Sequence, residues 1–167
     1  MVEVDNPVGD VDKAKDVALR LLGRRSYTRR EIVRKLQGRQ FRKQAIEDAL
    51  QRLEQVGLVD DRTFSRSWVQ ERMRLRPMGR PRLFRELTRR GVEQEIVGQV
   101  LDEMMADVDP GEIAFDLLKS RRRRYEGLDR MQALSRMYGF LVRRGFDGSI
   151  SRGASEQMWT EISDERR

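Results

Sequence analysis

The sequence of 167 residues contains no cysteine and no histidine. The absence of cysteine excludes disulfide bonds, cysteine-based metal sites and thiol nucleophiles. The absence of histidine removes the commonest general base in enzymes. The glycines do not follow a GxGxxG or Walker spacing, so no phosphate-binding loop is predicted. We therefore predict a protein that is not an enzyme and that needs no cofactor and no metal.

Long apolar runs and strand-like alternation are also missing. No apolar run approaches the roughly 18 residues of a membrane-spanning helix. Residues 1–11 are acidic and do not consist of a basic segment followed by an apolar one, so no signal peptide is predicted. No segment alternates apolar and polar residues over a useful length, which argues against β-strands. These absences predict a cytoplasmic, all-α protein with no membrane contact.

Charge, in contrast, is abundant and unevenly distributed. Charged residues make up 38% of the chain, the net charge is +7 and the isoelectric point is about 10.3. Residues 62–90 hold ten arginines and two glutamates, a net charge of +8, whereas residues 91–120 hold eight acidic residues and one lysine, a net charge of −7. Such banding suits a polyanion or an acidic protein surface. The alternative is that the arginines are simply solvated or paired across helices.

Apolar residues recur at helical spacing and repeat along the chain. Five apolar positions return exactly in register 51 residues later: Leu36 with Leu87, Phe41 with Val92, Ile46 with Val97, Leu50 with Leu101, and Leu53 with Met104. A looser third copy is marked by residues 143–146, which repeat residues 89–92 at an offset of 54. We predict three tandem three-helix units that pack on their neighbours, because each is too small to be stable alone.

Turn and capping residues set the predicted boundaries. The prediction is a disordered N-terminal tail at 1–11, three-helix repeats at 12–58, 59–106 and 107–160, and a charged C-terminal tail at 161–167. Asp12 is predicted to start the first helix, and Thr28 and Glu31 have the spacing of a capping box. In the pair Asp60-Asp61, capping of the next helix by Asp61 is favoured over metal binding.

Arginines of the central segment are the main candidates for partner binding. Arg82, Arg85 and Arg89 have i, i+3, i+7 spacing, which places them along one side of a helix. Leu83 and Leu87 occupy another side and are expected in the core. The predicted partner-binding residues, which include basic residues of the third unit, are Arg72, Arg76, Arg80, Arg82, Arg85, Arg89, Arg90, Arg121, Arg122, Arg143 and Arg144.

Taken together, these segments resemble the RecX regulatory family of bacteria. The central match comprises Gly-Leu-Val-Asp-Asp-Arg-Thr-Phe-Ser at 57–65, Trp68-Val69, Arg72, Gly79, Leu83, Leu87 and residues 90–92. Residues 18–22, 25–26, 31–32 and 35–36 resemble the family's first unit, and residues 143–146 resemble its last. The resemblance covers about residues 14–158. It implies an elongated, curved array of three-helix-bundle repeats. It also implies a non-enzymatic regulator that binds the RecA recombinase in the groove of the RecA–DNA filament and inhibits it.

Two other functions are consistent with parts of the sequence. Three-helix units with short turns resemble helix-turn-helix modules, so a non-specific DNA-binding protein is the first alternative. Arginines at helical spacing predict salt-sensitive phosphate contacts rather than base reading. A metal-dependent nuclease with clustered carboxylates is the second alternative. Trp68 is expected in the core and not stacked on a base. The favoured prediction is a monomer that binds the RecA filament and, non-specifically, DNA.

Overall fold

The computed structural model describes residues 7–165, and every regular element in that range is a helix. The α-helices are α1 (Pro7–Leu22), α2 (Arg29–Gln37), α3 (Lys43–Gln55), α4 (Asp61–Leu75), α5 (Arg80–Arg90), α6 (Gln94–Met104), α7 (Pro110–Lys119), α8 (Arg130–Arg143) and α9 (Gly148–Asp164). A short 3-10 helix, Arg122–Arg124, lies between α7 and α8. Within the described range, no helix is long and apolar enough to cross a membrane. The prediction of an all-α protein is confirmed.

The chain divides into two compact units, and each takes part of the helices α4–α6. Among the described residues, the first unit contains 7–67 and 87–100, and the second contains 68–86 and 101–165. Helices α1–α3 enclose one hydrophobic core, and helices α7–α9 enclose another. The largest fully buried side chains of these two cores are Ile32, Leu36, Ile46 and Leu50 in the first, and Leu118, Met137, Leu141, Met158 and Ile162 in the second.

The second helix of each triplet ends in the same turn. In each case the carbonyl of a fully buried leucine accepts a hydrogen bond from the amide five residues further on: Leu36 from Phe41 at 3.3 Å, Leu87 from Val92 at 3.3 Å, and Leu141 from Phe146 at 3.2 Å. The offsets of 51 and 54 residues therefore correspond to one repeated local structure, with the leucine in the core and the following apolar residue closing the corner.

The residue before that corner adopts a left-handed conformation in all three copies. Its φ angle is 64° at Gln40, 94° at Gly91 and 84° at Gly145. A Cβ atom on Gly91 would overlap the side chain of Arg30, and one on Gly145 would overlap the Cβ of Arg82. Gln40 is exposed to solvent. Glycine is therefore required in the second and third copies, where an arginine packs directly against the turn, and is not required in the first.

Substitution of Gly145 by alanine is expected to destabilise the protein by more than about 2 kcal/mol. The left-handed conformation alone costs a residue with a Cβ roughly 1–2 kcal/mol, and the overlap with Arg82 adds to that cost. The melting temperature, followed by circular dichroism, should fall by roughly 4–8 °C. The control Gln40→Gly should stay within about 1 kcal/mol of wild type. Equal effects of the two substitutions would contradict this explanation of the repeated turn.

Helix α1 begins at Pro7, five residues before the start predicted at Asp12. The prediction of a disordered tail over residues 1–11 is therefore wrong for residues 7–11, and residues 1–6 lie outside the described range. Val11 is only 6% exposed and Ala14 is fully buried, so the first turns of α1 pack on the core. Proline at the first helical position costs nothing, because its missing amide hydrogen would have no helical partner there.

Helix α9 also extends beyond its predicted end, as it runs to Asp164 rather than to residue 160. Ile162 is fully buried in the core of α7–α9, which places the last helical turns against the protein. Residues 161–164 of the predicted charged tail are thus helical. Gly148 starts this helix, and Gly153 lies on its exposed side, where the absence of a side chain leaves no gap in the core.

Candidate functional site

Helix α5 carries the arginines with the most regular spacing. Leu83 and Leu87 are fully buried, which confirms their predicted place in the core. Arg85 and Arg89 are exposed, and neither makes an ion pair with another residue of the described chain. Their guanidinium groups are available to an external anion. Their role in partner binding stays a prediction.

Arg82 differs from these two neighbours, because its side chain is engaged within the second unit. Its Nη1 donates a hydrogen bond to the carbonyl of Arg143 at 2.6 Å, and its Nε donates to Glu86 at 3.1 Å. The backbone of the same region is held by a hydrogen bond from the amide of Gly79 to the carbonyl of Arg144, at 3.0 Å. Arg82 therefore joins the start of α5 to the end of α8.

The arginines before and at the start of α5 have different environments. Arg72 lies over the ring of Trp68 at 4.1 Å and approaches Glu86 at 3.5 Å. Arg76 is exposed, and Arg80 pairs with Asp102. Trp68 is partly buried, and its indole nitrogen is shielded from solvent. Val69 and Phe64 of α4 are 1% and 8% exposed, and the Arg72 guanidinium lies over the Trp68 ring.

Arg90 is an internal link of the first unit. Its Nη1 donates to Glu31 at 2.8 Å, and its carbonyl accepts a hydrogen bond from the hydroxyl of Thr28 at 2.7 Å. The same Thr28 hydroxyl accepts from the amide of Glu31 at 3.2 Å, and the Glu31 carboxylate accepts from the amide of Thr28 at 3.4 Å. The predicted capping box is therefore confirmed. Arg90 is bound to it and is less available to a partner than Arg89.

The second unit brings several of the predicted arginines together around Arg144. This residue donates from Nη1 to the carbonyl of Pro77 at 3.3 Å, and its guanidinium lies 5.3 Å from the centre of the Phe140 ring. Burial lowers the pKa of Arg144, and the positive charges of Arg82, Arg121 and Arg76 lower it further. Four guanidinium groups from distant parts of the sequence therefore share one region of positive potential.

The run of four arginines at 121–124 is divided by the fold. Arg122 faces α9 and is bound to three carboxylates, those of Glu126, Glu161 and Glu165. Arg121 lies on the other side, with its guanidinium 4.5 Å from the centre of the Phe140 ring. Arg122 is therefore a structural residue that anchors the end of α9, whereas Arg121 belongs to the basic region around Arg144.

The carboxylates of Asp60 and Asp61 accept hydrogen bonds at the starts of two different helices. Asp60 accepts from the amides of Arg62 at 2.8 Å and Thr63 at 3.2 Å and so caps α4. The prediction that Asp61 caps α4 is wrong, because its carboxylate accepts from the amide of Arg29 at the start of α2, at 2.8 Å. A hydrogen bond from the Thr63 hydroxyl lowers the pKa of Asp60, and burial raises the pKa of Asp61.

The described part of the chain contains no group of three or more acidic side chains placed to hold a metal ion. The pair Asp60 and Asp61 instead satisfies amide groups that the two helix starts leave without partners. Both carboxylates thus accept hydrogen bonds at helix starts, Asp60 at α4 and Asp61 at α2.

Arg124 and Arg136 are not among the predicted partner-binding residues. Both side chains line a pocket with Arg121 and Arg143 in the second unit. The signal for Arg136 is present in the sequence, because positions 136, 140 and 143 have i, i+4, i+7 spacing and lie on one side of α8. The contribution of Arg124 depends on the turn between α7 and α8, which helical periodicity does not describe.

Three family models match successive parts of the chain. They are described as the first, second and third three-helix domains of RecX, and they match residues 14–53, 60–101 and 107–154. Two solved structures have the same fold over most of the chain. A crystal structure of RecX from Lactobacillus salivarius has a TM-score of 0.79 at 20% identity and covers 93% of this chain and 98% of its own. A crystal structure titled regulatory protein RecX has a TM-score of 0.77 at 21% identity and covers 90% and 73%.

Relatives of higher sequence identity carry the same family name. A protein of Chlorobium phaeobacteroides (strain BS1) named regulatory protein RecX is 37% identical over 150 residues, which are 90% of this chain and 96% of that protein. A protein of the same name from Streptomyces coelicolor is 34% identical over 145 residues, which are 87% of this chain and 77% of that protein. The three matched domains and these identities agree with the helix triplets described above, and the chain belongs to the RecX family.

Proposed function

We propose that the chain is a non-enzymatic regulator that binds the RecA–DNA filament and inhibits the ATPase and strand-exchange activities of RecA. It acts in the cytoplasm as a monomer and modulates recombination and DNA repair, including the SOS response. Its DNA contacts are non-specific and salt-sensitive. Membership of a family whose relatives are named regulatory protein RecX supports this proposal, and the resemblance of the central segment to that family supplies RecA as the partner.

The observation that carries the proposal is the set of exposed arginines without an internal acidic partner. Many arginines of the chain are neutralised by its own carboxylates, as Arg80, Arg82 and Arg122 are. Other arginines are exposed and make no ion pair within residues 7–165, among them Arg74, Arg76, Arg85, Arg89, Arg124, Arg136 and Arg143. A polyanionic partner requires such unpaired guanidinium groups, which bind phosphate or carboxylate oxygens in a bidentate manner.

The acidic segment that follows these arginines favours a mixed partner over bare nucleic acid. Glu93, Asp107, Glu112 and Asp116 are exposed side chains of residues 91–120, which carry a net charge of −7. Exposed carboxylates repel phosphate and favour basic protein groups. A protein filament assembled on DNA offers both kinds of surface, whereas naked DNA offers only one. The alternative function, non-specific binding to DNA alone, accounts for the arginines but not for the acidic segment.

The test compares binding to a RecA filament with binding to the same single-stranded DNA without RecA. Fluorescence anisotropy of the labelled full chain is measured between about 50 and 200 mM salt. Binding to the filament is expected to persist at the higher salt, with inhibition of RecA ATP hydrolysis over the same concentration range. Binding to naked DNA is expected to fall steeply, because it depends on counterion release. Equal affinity for both partners at every salt concentration would favour the alternative.

A further inference from the structure

The second unit contains a small pocket whose charged lining residues are all arginines. It has a volume of about 230 Å³ and lies between the 3-10 helix Arg122–Arg124 and α8. The lining residues are Arg121, Arg124, Tyr125, Arg136, Phe140 and Arg143. A pocket with four guanidinium groups and no carboxylate is a strong local source of positive potential.

The guanidinium groups of this pocket have few partners of their own. Arg124, Arg136 and Arg143 are exposed, and none forms an ion pair with the described chain. The Nε of Arg121 is buried and makes no hydrogen bond to any described residue. Arg122 lies between Arg121 and Arg124 in the sequence. In contrast to these two residues, it is bound to three glutamates. The three nearby glutamates therefore contact Arg122, and no carboxylate of the described residues lines the pocket.

The aromatic rings of the pocket are either in contact with guanidinium groups or buried. The Phe140 ring has the guanidinium of Arg121 at 4.5 Å and that of Arg144 at 5.3 Å. Tyr125 is only 4% exposed. Stacking of bases requires an accessible ring, whereas phosphate oxygens require only converging hydrogen-bond donors, which the guanidinium groups supply. The volume is also below the roughly 300–1,000 Å³ of pockets that bind drug-sized ligands.

We propose that this pocket binds a phosphate group of a nucleic acid backbone. The guanidinium groups of Arg124, Arg136 and Arg143 hold the phosphate oxygens, and Arg121, fixed against Phe140, contributes positive charge behind them. The arginine pocket by itself indicates a polyanion. The choice of a nucleic acid, rather than an acidic protein segment, as that polyanion rests on the proposed function. This assignment makes the second unit a phosphate anchor that reads no base sequence.

The experiment measures the binding of fluorescent single-stranded DNA to the full chain, without RecA, over a series of salt concentrations. The variant Arg124→Gln with Arg136→Gln removes two pocket charges. Its control, Arg34→Gln with Arg152→Gln, removes two exposed and unpaired charges outside the pocket. The pocket variant should reduce the slope of log affinity against log salt by roughly 0.7, the contribution of one neutralised phosphate of single-stranded DNA. The control should change the slope by less than half as much. Because Arg124 and Arg136 are exposed, both variants should melt like wild type. Arg143→Gln provides a further pocket variant, and its slope should fall by no more than that of the double variant.

A wild-type slope for the pocket variants, or an equal reduction in the control, would overturn the proposal. Competition by pyrophosphate and by polyglutamate distinguishes the two kinds of polyanion. Pyrophosphate should displace DNA from the wild type more effectively than from the pocket variant. If polyglutamate, and not pyrophosphate, distinguished the wild type from the variant in this way, the pocket would be assigned to an acidic protein. RecA inhibition by the same variants is measured separately. A failure of the wild type to inhibit RecA would contradict the proposed function without changing the result for naked DNA.

Discussion

Reversal of charge at Arg85 and Arg89 together is expected to remove most of the inhibition of RecA while leaving the protein folded. Both side chains are exposed and unpaired within the described chain. The free energy of unfolding of the double variant Arg85→Glu, Arg89→Glu should therefore stay within about 0.5 kcal/mol of wild type. In the complex, each glutamate would face phosphate or acidic protein groups, and like charges at an interface cost several kcal/mol. The concentration for half-inhibition of ATP hydrolysis should therefore rise by roughly 100-fold or more.

A matched control separates a local effect from an effect of net charge. Arg34→Glu with Arg152→Glu gives the same change in net charge at exposed, unpaired positions of α2 and α9. This control should inhibit RecA within a fewfold of wild type. Full inhibition by the Arg85 and Arg89 variant would show that these side chains are merely solvated. Equal losses in both variants would mean that inhibition depends on net charge and not on α5.

Arg82 is left out of this variant although it has the same helical spacing. Its side chain donates to the carbonyl of Arg143 and to Glu86, so a glutamate there would lose both hydrogen bonds and place a second carboxylate beside Glu86. The loss of a hydrogen bond of this kind costs about 1–3 kcal/mol. A triple variant that included Arg82 would combine a folding defect with a binding defect, and the inhibition assay would not distinguish them.

Most of the fold was predictable from the sequence because burial imposes its own periodicity. Leu36, Leu87 and Leu141 recur at offsets of 51 and 54 residues, and all three are fully buried at the same point of the same turn. Thr28 was identified as a cap because its partner, Glu31, is only three residues away. Signals of this kind are local, so a single sequence contains both partners within one helical turn.

The contacts that were not predicted join residues far apart in the sequence. Asp61 contacts the amide of Arg29, 32 residues away, and Arg122 contacts Glu161 and Glu165, which follow it by 39 and 43 residues. Helical spacing shows which side of a helix a residue occupies, but it does not show what that side meets. For the same reason, spacing grouped Arg82 with Arg85 and Arg89, although only Arg82 reaches the end of another helix.

The three repeats of the sequence are also not three separate compact bodies. The family models match three domains, whereas the helices α4–α6 are divided between two compact units. Leu87 belongs to the middle repeat by its spacing, yet it is part of the first unit together with α1–α3. Unit membership depends on which side chains pack together, and the sequence period alone does not contain that information.

Truncation of the repeated leucines tests both the repeats and the units. Leu36→Ala, Leu87→Ala and Leu141→Ala should each destabilise the protein by about 2–5 kcal/mol, because each removes a fully buried side chain and leaves a cavity. The control is Leu58→Ala, a residue that is 51% exposed, and it should stay within about 0.5 kcal/mol of wild type. Denaturant unfolding followed by circular dichroism measures these differences.

Hydrogen exchange then locates the effect of each substitution. Leu87→Ala should accelerate amide exchange in α1–α3, as Leu36→Ala does, because both leucines lie in the first compact unit. Leu141→Ala should accelerate exchange in α7–α9, which belong to the second unit. If Leu87→Ala changed exchange in α4–α6 only, the repeats would behave as three independent folding units. The expected pattern instead follows the compact units, because residue 87 lies with α1–α3 in the first of them.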